Sequence, residues 1–136
     1  MGSKLQTIEH VLLIDDNEMD NVYHELMLHK SGVVKKVIAM ESAQAALDFL
    51  KNPASPKIDL ILLDINMPGM NGFQFLEKFA GHHPAAGIEV IVVMLTSSPS
   101  PADKKLASQY AQIKDYLTKP LTVESAQKLA ERFFGK

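Results

Sequence analysis

The sequence predicts an α/β fold with one doubly wound, parallel, five-stranded sheet. Short aliphatic segments alternate strictly with segments whose apolar residues have helical spacing. Continuous aliphatic runs without polar interruption are typical of strands that are buried on both faces. Strict alternation of such strands with helices favours right-handed crossovers and a sheet with helices on both sides.

The strands are predicted from runs rich in β-branched residues. None of these runs is long enough to cross a membrane. Loops are expected at residues 52–57 and 81–87, where Pro, Gly and small residues concentrate. The predicted strands cover residues 10–15, 33–40, 58–64, 88–96 and 113–119.

Each segment between strands has an apolar stripe that predicts a helix packed on the core. Ser42 and Ser100 are placed to cap the second and fourth helices, and Thr122 with Ser125 to cap the fifth. The stripes are Met19, Val22 and Leu26 with Tyr23 and Met27; Ala43, Ala46, Leu47 and Leu50; Phe73, Leu76 and Phe79; Leu106 and Tyr110; and Val123, Ala126, Leu129, Ala130 and Phe133.

The bulk composition limits the possible functions. With 136 residues the chain has the size of one domain, which we expect to cover residues 9–136, after an N-terminal extension at 1–8 that begins with a possible expression scar, Met1-Gly2-Ser3. The net charge of −2 gives no global reason to bind nucleic acid or an anionic membrane. The absence of cysteine excludes disulfides and thiolate metal sites, and it favours a cytoplasmic location.

Polar residues follow four of the predicted strands. Asp15 and Asp16 end the first, Asp64 the third, Thr96 the fourth and Lys119 the fifth. Ligands of open α/β sheets bind at the carboxyl ends of strands, so these groups are expected to converge if the strands are neighbours. Converging carboxylates repel unless a cation neutralises them, and all-oxygen ligands suit Mg²⁺.

Each of these groups has a simpler interpretation when taken alone. The segment 15–17 could cap the first helix, Asp64 could form a turn, the segment 96–98 could be a capping loop, and Lys119 could be solvated. Four unrelated caps would have no reason to supply acids, a hydroxyl and a cation at one sheet edge. A calcium loop beginning at Asp64 is disfavoured because Pro68 stands at its fifth position and Phe75 at its twelfth.

As a set, these residues resemble the response-regulator receiver domains of two-component signalling, especially the single-domain chemotaxis-type regulators. The matching features are Asp15-Asp16, the "DINMPGMNG" segment that begins at Asp64, Thr96-Ser97 and Lys119-Pro120. The resemblance covers essentially the whole chain. It implies a flavodoxin-like (αβ)5 fold with strand order 2-1-3-4-5.

The resemblance also implies a role for each residue of the predicted metal site. Asp64 would be the phosphoacceptor and would also contact Mg²⁺. Asp16 would be the principal magnesium carboxylate, with Asp15 beside it, and the backbone carbonyl of Asn66 would be a further ligand.

The remaining roles concern the phosphoryl group and the response to it. Thr96 and Lys119 would contact the phosphoryl oxygens. Tyr116 would be the switch aromatic, moving from solvent toward space that Thr96 vacates; its alternative is a half-buried strand tyrosine.

The function implied is that of a stand-alone regulator in the cytoplasm. A histidine kinase or phosphotransfer protein would donate the phosphoryl group, and a downstream protein would read the face of helix 4, strand 5 and helix 5. No direct binding to nucleic acid or membrane is expected, and catalysis would be limited to the domain's own phosphorylation and dephosphorylation.

Two other functions are considered. An Asp-nucleophile hydrolase is disfavoured because Asn66 stands where a second acid would be needed. A degenerate receiver that acts only as an interaction domain is disfavoured by the intact acids, Thr96 and Lys119.

Overall fold

The computed structural model describes residues 7–82 and 90–135, without the side chains of 80–82. Its strands and helices alternate along the chain, and all strand pairs are parallel. The sheet order β2-β1-β3-β4-β5 confirms the predicted fold class and topology. The elements are β1 Ile8–Ile14, α1 Glu18–Ser31, β2 Val34–Met40, α2 Ala43–Lys51, β3 Leu60–Asp64, α3 Gly72–His82, β4 Ile91–Thr96, α4 Pro101–Ala107, β5 Ile113–Thr118 and α5 Val123–Phe134.

The sheet separates two apolar cores because successive side chains of a strand point to opposite faces. Leu63 faces the core formed with α2, α3 and α4. Leu62 faces the core formed with α1 and α5. Strand β3 is buried at every residue, so burial on both faces explains its uninterrupted aliphatic sequence.

The predicted helix caps at Ser42, Ser100 and Thr122 are confirmed. The side chains of Ser42 and Ser100 accept from backbone N–H groups three residues later, at 3.0 and 3.1 Å. Thr122 and Ser125 form a reciprocal capping box.

The apolar stripe predicted to pack helix α1 on the core is instead exposed. Met19, Val22, Tyr23 and Leu26 are 43% to 74% exposed. The helix buries a different set of residues, which is mostly polar: Asn21, His24, Leu28 and Ser31. Apolar periodicity therefore identified the helix correctly but assigned its buried face wrongly.

Two smaller expectations are also corrected. Helix α4 ends at Ala107, so Tyr110 lies beyond it, and Leu106 is exposed while Ala107 is the buried residue. The loop predicted at 81–87 begins later, because α3 continues to His82. The rest of that loop, and positions 88 and 89 of the fourth predicted strand, lie outside the described residues. No helix in the described part of the chain is both long and apolar enough to cross a membrane.

Candidate active site

The parallel register brings the polar strand ends to one edge of the sheet. Asp64, the last residue of β3, pairs with Leu95 of β4. Thr96 ends β4 opposite Thr118 of β5, and Lys119 follows directly. Asp15 follows β1, which lies beside the central strand β3.

Three carboxylates form a cluster at this edge. Asp15, Asp16 and Asp64 each offer an oxygen, and these oxygens lie within 4.8 Å of one another. Asp15 and Asp64 are buried, whereas Asp16 is exposed and open to solvent. Carboxylate oxygens at this spacing fit a hard divalent cation that keeps several water ligands, so the donor set is chemically suited to Mg²⁺ or Mn²⁺.

Lys119 contacts two acids of this cluster and a third acid, Asp20, beside it. Its side chain is only 10% exposed, so the alternative of a solvated lysine is wrong. The ammonium nitrogen Nζ lies 2.7 Å from Asp15 Oδ2 and 2.9 Å from Asp20 Oδ2. Asp64 Oδ1 is more distant, at 3.5 Å.

The pKa values of Asp64 and Lys119 are both raised, but by different balances of burial and neighbouring charge. Burial, and then the negative charge of Asp15, raise the pKa of Asp64 from 3.8 to about 6, although Lys119 opposes the shift. Burial alone would lower the pKa of Lys119. Hydrogen bonds to Asp15 and Asp20 outweigh burial, and the pKa of Lys119 is raised. At neutral pH the site therefore holds a charged ammonium beside carboxylates that repel one another.

The first turns of α1 fix Asp15. The backbone N–H of Asn17 donates to Asp15 Oδ1 at 2.9 Å, and the side chain of Asn17 caps the helix by accepting from the Asp20 N–H. Asn21, which is buried, donates from Nδ2 to the Asp15 carbonyl at 2.9 Å. His24 is also buried on this face; burial, and then the nearby charge of Lys119, lower the pKa of its imidazole.

Asp20 and Asn21 are site residues that sequence reasoning missed. The spacing of Asn17 and Asp20 is visible in the sequence as a helix cap. The sequence does not predict that the first turn of α1 faces Lys119, because Lys119 is 99 positions away from Asp20.

The segment after Asp64 passes close to the strand end. The N–H of Gly72 donates to the Ile65 carbonyl at 2.9 Å. A Cβ at position 72 would lie 2.8 Å from the Asp64 carbonyl oxygen, so a side chain there would force backbone apart. Gly69 has a φ of +83°, which favours glycine. The Asn66 side chain is exposed.

The hydroxyl and the aromatic residue occupy adjacent strands. Thr96 is fully buried, and its Oγ1 accepts from the Ser98 N–H at 3.1 Å. Tyr116 packs against the core on the α3 side, with its hydroxyl buried and without a well-formed hydrogen bond in the described part of the chain. Tyr116 as a whole is half-buried, as in the alternative interpretation of a half-buried strand tyrosine. Burial, and then the charge of Asp103, raise the pKa of Tyr116.

Known proteins match this chain in sequence and in structure. Residues 11–131 match the model of the response regulator receiver domain. The two-component response regulator ORR1 of Oryza sativa is 32% identical over 127 residues, which cover 90% of this chain and 54% of that protein. The chain therefore spans about half the length of that relative.

Two solved structures support the same assignment. A two-component response regulator from Cytophaga hutchinsonii has a TM-score of 0.88 and 29% identity, over 96% of this chain and 100% of the other. The Mn²⁺-bound form of response regulator Rcp1 has a TM-score of 0.69 and 28% identity, over 93% and 94% of the two chains. Since the family model also spans most of the sequence, this chain belongs to the response regulator receiver domain family.

Proposed function

We propose that this receiver accepts a phosphoryl group on Asp64 from a phosphohistidine of a histidine kinase or phosphotransfer protein. The observation that carries the proposal is the position of Asp64. Its buried carboxylate ends β3 within reach of an ammonium group and beside two further carboxylates. Phosphoryl transfer depends mainly on positioning and on charge stabilisation, and this arrangement offers both.

The proposed transfer forms one bond and breaks one. A carboxylate oxygen of Asp64 attacks phosphorus as the P–N bond of the donor breaks, and the donor imidazole leaves with the electron pair. The product is an acyl phosphate on Asp64. Attack by water at phosphorus later returns the carboxylate and inorganic phosphate, so the domain would catalyse only its own phosphorylation and dephosphorylation.

Magnesium is the proposed cofactor, held by Asp15, Asp16, Asp64 and the carbonyl of Asn66. When bound, the cation would neutralise the carboxylates and the transferred phosphoryl group. Lys119 would donate to one phosphoryl oxygen as a charged donor, and the Thr96 hydroxyl to another. Thr96 Oγ1 now accepts from the Ser98 N–H. Movement of this hydroxyl toward Asp64, so that it donates to a phosphoryl oxygen, is the proposed first step of the switch.

Two faces are proposed for partners. The exposed apolar stripe of α1 begins one turn from the acidic cluster, which makes it a suitable docking surface for the donor. The face of α4, β5 and α5 would carry the output through Tyr116, whose hydroxyl lies near the start of α4. The regulator is proposed to act alone and in the cytoplasm, and the lack of cysteine supports that location.

Mass spectrometry after incubation with acetyl phosphate and Mg²⁺ tests the proposal. We expect a single, base-labile phosphoryl adduct that Asp64→Asn abolishes without unfolding the domain. Asp59→Asn is the matched control, because Asp59 precedes β3 at the opposite end of the strand and accepts from the His10 N–H. Full labelling of Asp64→Asn would identify another acceptor. Sustained turnover of acetyl phosphate would favour a hydrolase, and no adduct would favour a degenerate receiver.

A further inference from the structure

We propose that Asp20 is a positioning residue that holds Lys119 in the unphosphorylated domain and competes with the phosphoryl group for its ammonium. The proposal rests on the function proposed for Asp64. It assigns a role to a residue that does not belong to the three-carboxylate cluster, the group that could hold a metal.

The distances show where the ammonium is held. Lys119 Nζ lies 2.9 Å from Asp20 Oδ2 but 3.5 Å from Asp64 Oδ1. An ammonium group has three N–H donors, and the two shortest contacts, to Asp15 and Asp20, both lie on the α1 side of the site. The unphosphorylated structure therefore directs Lys119 toward α1 rather than toward the phosphoacceptor.

A bound cation would affect the charge of Asp15 and that of Asp20 differently. Asp15 belongs to the three-carboxylate cluster, so a bound cation would compete with Lys119 for its negative charge. Asp20 lies outside that cluster and would keep its full charge for the lysine. In the cation-loaded domain, Asp20 is thus the principal competitor of a group on Asp64.

The ion pair is suited to exchange because only one partner is buried. The Asp20 side chain is 38% exposed, whereas that of Lys119 is 10% exposed. Water can therefore solvate Asp20 when Lys119 turns away, so separation is less unfavourable than for a fully buried pair. The Asn17 cap fixes the Asp20 backbone during this exchange.

Titration with beryllofluoride, a phosphoryl analogue, at saturating Mg²⁺ tests the competition by calorimetry. Asp20→Asn keeps the size of the side chain but removes its charge, so we expect binding roughly three- to fivefold tighter than in wild type. Glu18→Gln is the matched control, because Glu18 is exposed in the same first turn and makes no ion pair with Lys119 in the described structure. We expect its affinity to stay within about twofold of wild type. Asp20→Glu restores the charge and should return the affinity toward wild type.

The outcomes separate the two proposals. A purely structural role for Asp20 would weaken binding on substitution, so tightening is specific to competition. Unchanged or weaker binding by Asp20→Asn overturns the inference, as does equal tightening by Glu18→Gln, which would indicate a general charge effect. If wild type binds no beryllofluoride, the proposed function of Asp64 fails and the inference falls with it.

Discussion

Helices α1 and α5 cover the same face of the sheet but bury opposite kinds of side chain. Helix α5 buries Ala126, Leu129 and Ala130. Helix α1 buries a mostly polar set and exposes its apolar stripe, although Leu28 joins the same core. Both are regular helices with capped N-termini, so the difference lies in what each inner face contacts.

The difference indicates a division of roles between stability and function. The inner face of α5 contacts apolar strand residues, and its burial follows from the hydrophobic effect. The first turn of α1 contacts the site, through Asn21 on Asp15 and Asp20 on Lys119. Its last turn does not, because Leu28 joins the core and the Ser31 hydroxyl donates to the Leu28 carbonyl. Exposure of the apolar stripe on α1 leaves it available for a partner.

The largest expected effect tests the contribution of α5 to the stability of the core. Leu129→Ala should lower the free energy of unfolding by about 2 to 5 kcal/mol, because it leaves a cavity in a packed core. Leu26→Ala on α1 removes the same atoms from an exposed position and should change it by about 0.5 kcal/mol or less. Urea unfolding monitored by circular dichroism measures both. Equal losses would show that the stripe on α1 is also structural.

A second prediction concerns how far the ionised carboxylate of Asp64 destabilises the folded domain. The folded pKa of Asp64 is raised above its ordinary 3.8 to about 6, so protonation favours the folded state. The resulting penalty is present above about pH 6 and disappears as the pH falls toward 3.8. Without metal at pH 7.5, Asp64→Asn should therefore raise the free energy of unfolding by about 1 to 3 kcal/mol.

That gain should shrink between pH 6 and pH 4, which thermal unfolding at a series of pH values can follow. Asp59→Asn is again the control, since no opposing carboxylate cluster surrounds that residue in the described structure. A gain that grows as the pH falls would contradict the assigned direction of the shift.

A third prediction tests the apolar stripe of α1 as a docking surface for the phosphoryl donor. The double substitution Val22→Ser and Leu26→Ser should slow transfer from a phosphorylated histidine phosphotransfer protein roughly tenfold, because apolar contact area with the donor is lost. Labelling by acetyl phosphate should not change, since this small donor needs no docking surface. A rapid-quench transfer assay compares the two donors. Equal slowing with both would show that the substitutions disturb the site itself.

The smallest expected effect concerns output. Tyr116→Ala should leave labelling of Asp64 nearly intact but reduce the response of the α4, β5 and α5 face, because a population shift needs a group that differs between the two states. NMR shifts induced by beryllofluoride report on that face in wild type and variant. Identical shifts would identify Tyr116 as a packing residue.

The sequence was sufficient to predict the sheet and the residues at its edge. Buried parallel strands have distinctive aliphatic runs, and the residue that ends each run is visible directly, as for Asp64 and Lys119. The buried face of α1 could not be predicted in this way. Asn21 is buried with its side chain donating to the carbonyl of Asp15. The spacing of apolar residues along a helix gives no information about such a hydrogen bond.

The central ion pair also has a consequence for the order in which the protein is made. Lys119 and Asp15 are 104 positions apart, and Asp15, Asp16 and Asp64 all leave the ribosome before Lys119. A nascent chain that already contains β1 and β3 would carry all three acids without the ammonium group that pairs with Asp15 and Asp64. Mutual repulsion of these acids would disfavour early closure of the site until β5 joins the sheet. Charge balance therefore makes completion of the site depend on synthesis of β5 and of Lys119 after it.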